Sequence, residues 1–300
     1  MKKVFKWIGI VLGSLIGFVV VAGVVFFLIG NASLNKIYDF PPSNLTIPTG
    51  EANIERGKHI ADTLCRDCHG QDLSGDNMID DPVMGVLDAA NLTAGKGGVG
   101  QEFTSDEDYV RAIRHGIDPE GKPIFMPAVY ATSHLSDDDL AAVIAYLKTI
   151  PPVDNVTVGQ QLKPLAKILM GAGQFPKLPV EVVSHEAHIA EPERGVSVEY
   201  GNYLVNINGC QDCHGAELAG AVYPDPTVKN LITPNITPGG EVGFWSEQDF
   251  MNTIRNGVTP GGHHLSEYMP WETYKQFTDD ELKAIYMYLH SLPKLPQYAP

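Results

Sequence analysis

A five-residue pattern occurs twice in this sequence: residues 65–69 read CRDCH and residues 210–214 read CQDCH. The two copies use all four cysteines of the 300-residue chain. Two cysteines three positions apart, followed directly by a histidine, form the attachment pattern of c-type haem. In that chemistry each thiol forms a thioether to the porphyrin, and the histidine binds the iron from one side. The pattern therefore predicts two covalently bound haem c groups. The predicted attachment residues are Cys65, Cys68, His69, Cys210, Cys213 and His214.

Other uses of the cysteines stay open from the sequence alone. A zinc site with four thiolates would have to bring both copies to one ion, and it would leave His69 and His214 without a role. A redox dithiol of the thioredoxin kind needs a βαβ setting, which the sequence does not show. Two disulfides would likewise not explain the histidines. Haem attachment is the interpretation that uses every residue of the pattern.

The first thirty residues predict a membrane-spanning helix. Three lysines among the first six residues precede an uncharged run from Trp7 to Gly30. As a helix this run would be ~36 Å long, enough to cross a hydrocarbon core of ~30 Å. Because lysines favour the cytoplasmic side, the N-terminus is expected in the cytoplasm and the remaining chain on the periplasmic side. We therefore expect residues 1–32 to form a single-pass anchor in the cytoplasmic membrane.

A cleaved signal peptide is the alternative, since Gly30-Asn31-Ala32 resembles a cleavage site with small residues. The apolar part of a signal peptide usually has ~7–15 residues, and this run is longer, which favours an anchor. Within it, Gly9, Gly13 and Gly17 share one helical face, where a second membrane helix of a larger complex could approach closely.

The formal net charge of the chain is −15. Such an acidic protein is a poor partner for nucleic acid, and an electrostatically attracted redox partner would present a basic face. The alternative is that the charge only keeps the protein soluble.

The two pentapeptides lie at matching places in a longer repeat, which covers residues 51–151 and 195–297. Each copy has an opening helix before its first cysteine, with matching glycines at Gly57 and Gly201. A loop without sustained helical or strand period follows the motif. This loop contains Asn-x-Thr in both copies, beginning at Asn91 and at Asn235.

Two further helices are predicted in each copy. The middle helices follow Ser105 and Ser246, and the closing helices follow Ser136 and Thr278; all four have an acidic residue three positions later, as in a capping box. Gly116 and Gly257 are expected to end the middle helices in the left-handed conformation. Proline follows each closing helix, at Pro151 and Pro293.

This order of helices and motif resembles class I cytochrome c, twice in tandem. Copy two is similar to the cytochrome c subunits of membrane-bound alcohol and gluconate dehydrogenases. The similar stretches are NITP (235–238), GFWSEQDF (243–250), YMPW (268–271) and LKAIYMYL (282–289). The resemblance implies a mainly α protein in which a transmembrane helix precedes two tandem class I cytochrome c domains. It also implies an electron-transfer role within a respiratory or dehydrogenase complex.

Residues 152–194 lie between the two copies and are too many for a slack connection in a compact pair of domains. We expect this segment to wrap across one or both domains. His185 and His188 have the spacing of a weak metal motif, and solvated loop histidines are the simpler interpretation.

The sixth iron ligand decides between electron transfer and catalysis. Met126 and Met269 recur at matching places, each directly before a proline, and they are the predicted axial ligands opposite His69 and His214. A thioether ligand raises the reduction potential of a haem. Filling of core gaps is the alternative role for methionine. Two adjacent histidines, His263 and His264, are rival ligands in copy two.

Arg114 and Arg255 also recur, and their planar guanidinium groups could pair with haem propionates. Exposure at a helix end is the alternative. With His and Met on both irons, the chain is predicted to relay single electrons between redox proteins and to carry no catalytic residue. The alternative is a dihaem peroxidase or a thiosulfate-oxidising enzyme. Such an enzyme would need an iron with an open coordination position.

Overall fold

A single helix, α1 (Lys2–Leu34), begins the chain in the computed structural model, which describes residues 2–175, 177–224, 228 and 231–299. Within those residues α1 is the one helix whose length and composition suffice to cross a membrane, with a mean hydropathy of 2.8 over its most apolar window. Its large apolar side chains are exposed from Val4 to Ile29.

Copy one contains the predicted opening, middle and closing helices, with short helices between them. In chain order these are α2 (Glu51–Leu64), α3 (Arg66–His69), α4 (Val99–Glu102), α5 (Asp106–Val110), a π-helical turn (Arg111–His115), α6 (Val129–Thr132) and α7 (Asp137–Leu147). The haem-attachment motif lies on α3, and the middle helix is α5 together with the π-helical turn.

A three-stranded antiparallel sheet lies outside this helical pattern. It consists of β1 (Asp76–Asp81), β2 (Gly85–Ala89) and β3 (Gln160–Leu162), in the order β1-β2-β3. The absence of a strand period after the first motif predicts a loop, and this prediction was wrong for residues 76–89. The reason is that β2 pairs with β3, a strand that lies far along the chain, in the segment between the copies.

The segment between the copies runs across copy one. After β3 it forms α8 (Pro164–Gly171), which packs against α1, and then a 3₁₀ turn (Pro179–Glu181). Further along, the Ala187 carbonyl accepts a hydrogen bond from Arg114, and the Ile189 amide donates to Asp137.

Copy two repeats the helices of copy one. They are α9 (Val198–Ile207), α10 (Cys210–His214), a 3₁₀ turn (Glu241–Phe244), α11 (Glu247–Asn256), α12 (Trp271–Tyr274) and α13 (Asp279–Ser291). The second haem-attachment motif coincides with α10.

The matching glycines mark where opening and closing helices cross. A Cβ atom on Gly57 would lie 1.9 Å from the Ala142 carbonyl oxygen, and one on Gly201 would lie 2.0 Å from that of Ala284. Any larger residue would force the helices apart. This close approach explains why glycine occurs at the same place in both copies.

The predicted helix boundaries are largely confirmed. Ser105, Ser246 and Thr278 form complete capping boxes. Gly116 and Gly257 end the middle helices with φ of 68° and 69°, in the left-handed region. Both copies then contribute to one continuous hydrophobic core. It includes Ile60, Ile144, Leu204 and Leu282.

Candidate haem-binding sites

The four motif cysteines lie on or directly before short helices. All four are partly buried, and none of them pairs in a disulfide. Burial raises the pKa of both Cys65 and Cys210 to about 12. Among the described residues no group of three or more His, Cys, Asp or Glu side chains could hold a metal ion. The zinc interpretation of the cysteines therefore finds no support.

Each motif histidine is fixed by one hydrogen bond to a backbone carbonyl. Nδ1 of His69 lies 2.7 Å from the Ala90 oxygen, and Nδ1 of His214 lies 2.8 Å from the Pro234 oxygen. Because a carbonyl only accepts, Nδ1 carries the proton and Nε2 keeps its lone pair. Burial lowers the pKa of both histidines, which favours the neutral ring. This is the state of imidazole that binds a metal, with the second nitrogen oriented by a hydrogen bond.

The Asn-x-Thr loops hold those carbonyls in place. Asn91 Nδ2 donates to the Val153 oxygen at 2.8 Å, and Asn235 Nδ2 donates to the Leu295 oxygen at 2.7 Å. In both loops the asparagine side chain also accepts from the threonine amide two residues later. The chain after each closing helix is thus tied to the loop beside the motif histidine. The sequence showed that Asn-x-Thr recurs, but not what it does.

The predicted axial methionines stand at the start of equivalent short helices. Met126 and Met269 are both partly buried, just before α6 and α12. The backbone of each is fixed, since the Met126 oxygen accepts from Val129 and the Met269 amide donates to Ser266. Their role as ligands stays a prediction. The rival histidines, His263 and His264, are exposed side chains.

The recurring arginines have protein partners. Arg114 is fully buried and donates to the Leu135 carbonyl and to Asp137 at 2.8 Å. Arg255 correspondingly donates to Asp279 at 2.9 Å. Both thus connect the end of the middle helix to the first residue of the closing helix. The alternative of exposure at a helix end is wrong for Arg114. Pairing with haem propionates stays a prediction for both arginines.

His185 of the connecting segment differs from the expectation of a solvated loop residue, whereas His188 agrees with it. His185 Nε2 lies 2.9 Å from the Val180 carbonyl, which leaves its Nδ1 to accept from His115 Nδ1 at 3.1 Å. The Phe40 ring stacks on His185 with centroids 3.8 Å apart. His188 is exposed and contacts Asp137. The reason for the error is that the partners of His185 lie far away in sequence.

Both motifs lie beside the interface between the copies. A Cβ atom on Gly209, directly before Cys210, would lie 3.3 Å from Ala131 of copy one. From copy two, Gln276 Nε2 donates to the Asp62 oxygen, just before the first motif. The chain just before each motif therefore contacts the other copy.

The fold repeats one helical domain that carries a CxxCH motif, and comparison with known proteins specifies its family. Residues 54–151 and 198–293 each match the family described as cytochrome c. The chain therefore belongs to the cytochrome c family, for which covalently bound haem c and electron transport are characteristic.

Three relatives illustrate the similarity. Over 282 residues the chain is 28% identical to the cytochrome c subunit of alcohol dehydrogenase (quinone) from Gluconobacter oxydans, covering 82% of this chain and 56% of that protein. Over 274 residues it is 30% identical to the fructose dehydrogenase cytochrome subunit of Gluconobacter japonicus, covering 80% and 53%. Over 217 residues it is 27% identical to a diheme cytochrome c-type protein of Cereibacter sphaeroides, covering 66% and 68%. The chain spans about half the length of the two dehydrogenase subunits. The predicted resemblance to dehydrogenase cytochrome c subunits is confirmed.

Proposed function

We propose that this protein is a dihaem cytochrome c, anchored in the cytoplasmic membrane, that relays single electrons between redox proteins on the periplasmic side. The observation that carries the proposal is the pair of matching histidines, His69 and His214. Each follows a CxxC pair and has Nδ1 committed to a carbonyl so that Nε2 is available for iron; His214 is buried and His69 is partly buried. Both copies show the same arrangement, which supports two equivalent haem groups.

The residues of each copy fit a covalent haem c. The cysteine pairs would form the thioethers, the motif histidines would bind iron on one side, and Met126 and Met269 would bind it on the other. Bound haem supplies a one-electron ferric/ferrous couple, whose potential the protein sets through its ligands and surroundings. We propose haem domains at 51–151 and 195–297, with residues 152–194 as a segment that holds copy one.

The contacts of α1 favour a retained anchor over a cleaved signal. A Cβ on Gly30 would lie 2.0 Å from the Lys167 oxygen, and Lys167 Nζ donates to Asn31 Oδ1 at 2.9 Å. Cleavage after Ala32 would remove both partners and uncover Gly171, whose Cβ position is 1.9 Å from the Phe26 oxygen. A helix that packs this closely on the folded domain is expected to stay attached to it.

Relatives named as cytochrome c subunits of dehydrogenases support a place in a membrane-bound dehydrogenase or respiratory complex. In such a complex the chain would pass electrons without performing the oxidation itself. A net charge of −15 favours a redox partner with a basic docking face and disfavours nucleic acid.

The mass of the denatured holoprotein tests the cofactor count. After acid–acetone extraction we expect the intact chain to retain two haem groups, and the variant Cys65→Ala/Cys68→Ala to retain one. Extraction of all haem from the unmodified protein would contradict covalent attachment, and a single bound haem would contradict the dihaem proposal.

Ligand substitution tests the electron relay. Met126→His is expected to lower the reduction potential of one haem and leave the other unchanged, because histidine is a stronger donor than thioether. Met251→Leu is the matched control, since Met251 is buried in the core and recurs nowhere in copy one. The reduced protein should bind carbon monoxide slowly, and Met269→Ala should make binding fast. Fast binding by the unmodified protein together with peroxide turnover would favour the peroxidase alternative.

A further inference from the structure

Two sides of the helix α8 pack against the rest of the protein, and its third side is not buried. At 100° per residue, Ala166 and Met170 point to the same side, where Ala166 is fully buried and Met170 packs beside a small apolar cluster. Lys167 and Gly171 point towards α1. The third side consists of Leu165, Ile168 and Leu169, which are not buried, and the Leu165 side chain is 41% exposed.

The unburied side of α8 carries no charged residue. Lys167 is the one charged residue within the helix, and its ammonium group donates to Asn31 Oδ1 and lies 5.8 Å from the centroid of the Phe27 ring. An exposed helix of a water-soluble domain normally alternates apolar and charged stripes. The unburied side of α8 therefore has the composition of a surface that is not facing water.

The contacts with α1 set the depth of α8 relative to the bilayer. Lys167 lies beside Gly30 and Asn31, whereas Gly171 lies beside Phe26. The two helices are therefore antiparallel, and α8 descends along α1 towards the uncharged run. Four residues of helix correspond to ~6 Å, so the C-terminal end of α8 reaches ~6 Å below the level of Gly30.

The surface of α1 at the same level is also apolar. Leu28 and Ile29 are 58% and 48% exposed, although α8 covers the opposite side of the helix at Phe26 and Gly30. A lysine whose ammonium group lies over the Phe27 ring at this level is placed as lysines are at the boundary between hydrocarbon and headgroups. The exposed side of α8 is thus continuous with the apolar surface of α1 in its last turns.

We infer that α8 enters the outer leaflet beside α1, with its C-terminal end the deeper one, which places Leu165, Ile168 and Leu169 at the boundary between headgroups and acyl chains. The inference rests on the proposed anchoring by α1. It has a consequence for function, because β3, directly before α8, pairs with β2 of copy one. A second membrane contact beside α1 would then restrict the tilt of copy one relative to the membrane.

Depth measurements on the full-length holoprotein in vesicles of phosphatidylcholine and phosphatidylglycerol test this inference. The four native cysteines are consumed by thioethers, so a single introduced cysteine can carry a nitroxide label. Four positions are compared: Val19→Cys in the middle of the span, Leu169→Cys and Leu165→Cys on α8, and Val196→Cys as an exposed apolar control before α9. Collision with oxygen reports acyl chains and collision with a nickel chelate reports water, both measured on the ferrous protein.

The expected order of depth is Val19, then Leu169, then Leu165, with Val196 fully in water. Nickel accessibility at Leu165 and Leu169 equal to that at Val196, with Val19 still in the hydrocarbon, would overturn the inference and leave the anchor intact. Full nickel accessibility at Val19 would overturn the anchor as well. Because Leu165 is exposed, its variant keeps the test decisive if Leu169→Cys lowers the haem content.

Discussion

The Tyr203 hydroxyl donates a hydrogen bond of 2.7 Å to Asp139 Oδ2 across the interface between the two cytochrome copies. Tyr203 belongs to the opening helix of copy two, and Asp139 belongs to the first turn of the closing helix of copy one. The residues at the corresponding places, His59 and Glu281, are in contact at 2.8 Å. The repeat in the sequence is therefore also an approximate two-fold symmetry of the interface.

Arg56 lies where this symmetry breaks. Its guanidinium group donates to Asp139 Oδ2 at 2.9 Å and to Glu281 Oε1 at 3.1 Å, while copy two has Tyr200 at the equivalent position. The side chains of Asp139 and Glu281 are 0% and 6% exposed. Two buried carboxylates need a cation and good hydrogen bonds to be tolerated. One arginine therefore pairs with the matching carboxylates of both copies and fixes how the two copies are oriented, and Arg194 adds a second cation at Asp139.

Tyr203→Phe is predicted to destabilise the protein by ~1–3 kcal/mol, because it leaves a buried carboxylate without one of its donors. The measurement is the free energy of unfolding of the holoprotein in denaturant. Tyr200→Phe is the matched control, since the Tyr200 hydroxyl only accepts a bond of 3.1 Å from Arg56. A smaller loss is expected there. Equal effects of the two variants would contradict a special role for the bond to Asp139.

Acid stability is predicted to depend on Glu281. Burial alone would raise the pKa of this carboxyl, but His59, the Thr278 amide and Arg56 lower it from 4.5 to about 2. Since the folded pKa is below the unfolded one, the contribution is complete above pH 4.5 and is lost as pH falls towards 2. It amounts to ~3 kcal/mol. Unfolding free energies between pH 6 and pH 2 should show this loss, and Glu281→Gln should flatten the profile in that window. An unchanged slope in the variant would count against this assignment.

Gly57→Ala is predicted to destabilise copy one by ~1–3 kcal/mol or more, because the new Cβ would overlap the Ala142 carbonyl at the helix crossing. Gly201→Ala should do the same in copy two. Gly50→Ala is the control, because the nearest atom to its Cβ position is a flexible Asn53 side chain 3.5 Å away. Thermal unfolding followed by circular dichroism and by the haem absorbance would show the difference. Similar melting temperatures for Gly57→Ala and Gly50→Ala would show that the two helices can move apart at the crossing without loss of stability.

Local signals in the sequence predicted most helices and their ends correctly. Ser105, Ser246 and Thr278 cap as expected, because a capping box depends only on residues three positions apart. Ser136 is the informative exception. Its hydroxyl accepts from the Asp139 amide, but the Asp139 carboxylate turns to Arg56 and Tyr203 instead of completing the box. A partner on another helix overrode the local preference.

Long-range partners account for what the sequence did not show. β1 is a polar strand, DNMIDD, with nearly every residue exposed, so its sequence has no alternation that would predict a strand. Its pairing with β2, which in turn pairs with β3, defines it. The motif histidines were predictable as candidate ligands, but their orienting carbonyls on Ala90 and Pro234 were not, because any residue supplies a carbonyl.

Gly30→Ala is predicted to separate α8 from α1, because a Cβ at this position would lie 2.0 Å from the Lys167 carbonyl oxygen. Relief of the overlap needs a backbone shift, with an expected cost of ~1–3 kcal/mol. Gly23→Ala is the matched control in the same helix, since nothing lies within 4 Å of its Cβ position. Both changes raise helix propensity equally, so a difference between them reports packing. Limited proteolysis of the detergent-solubilised holoprotein should cut Gly30→Ala faster within residues 163–175, with unchanged haem content. Equal cleavage rates for the two variants would show that α8 does not depend on its contact with α1.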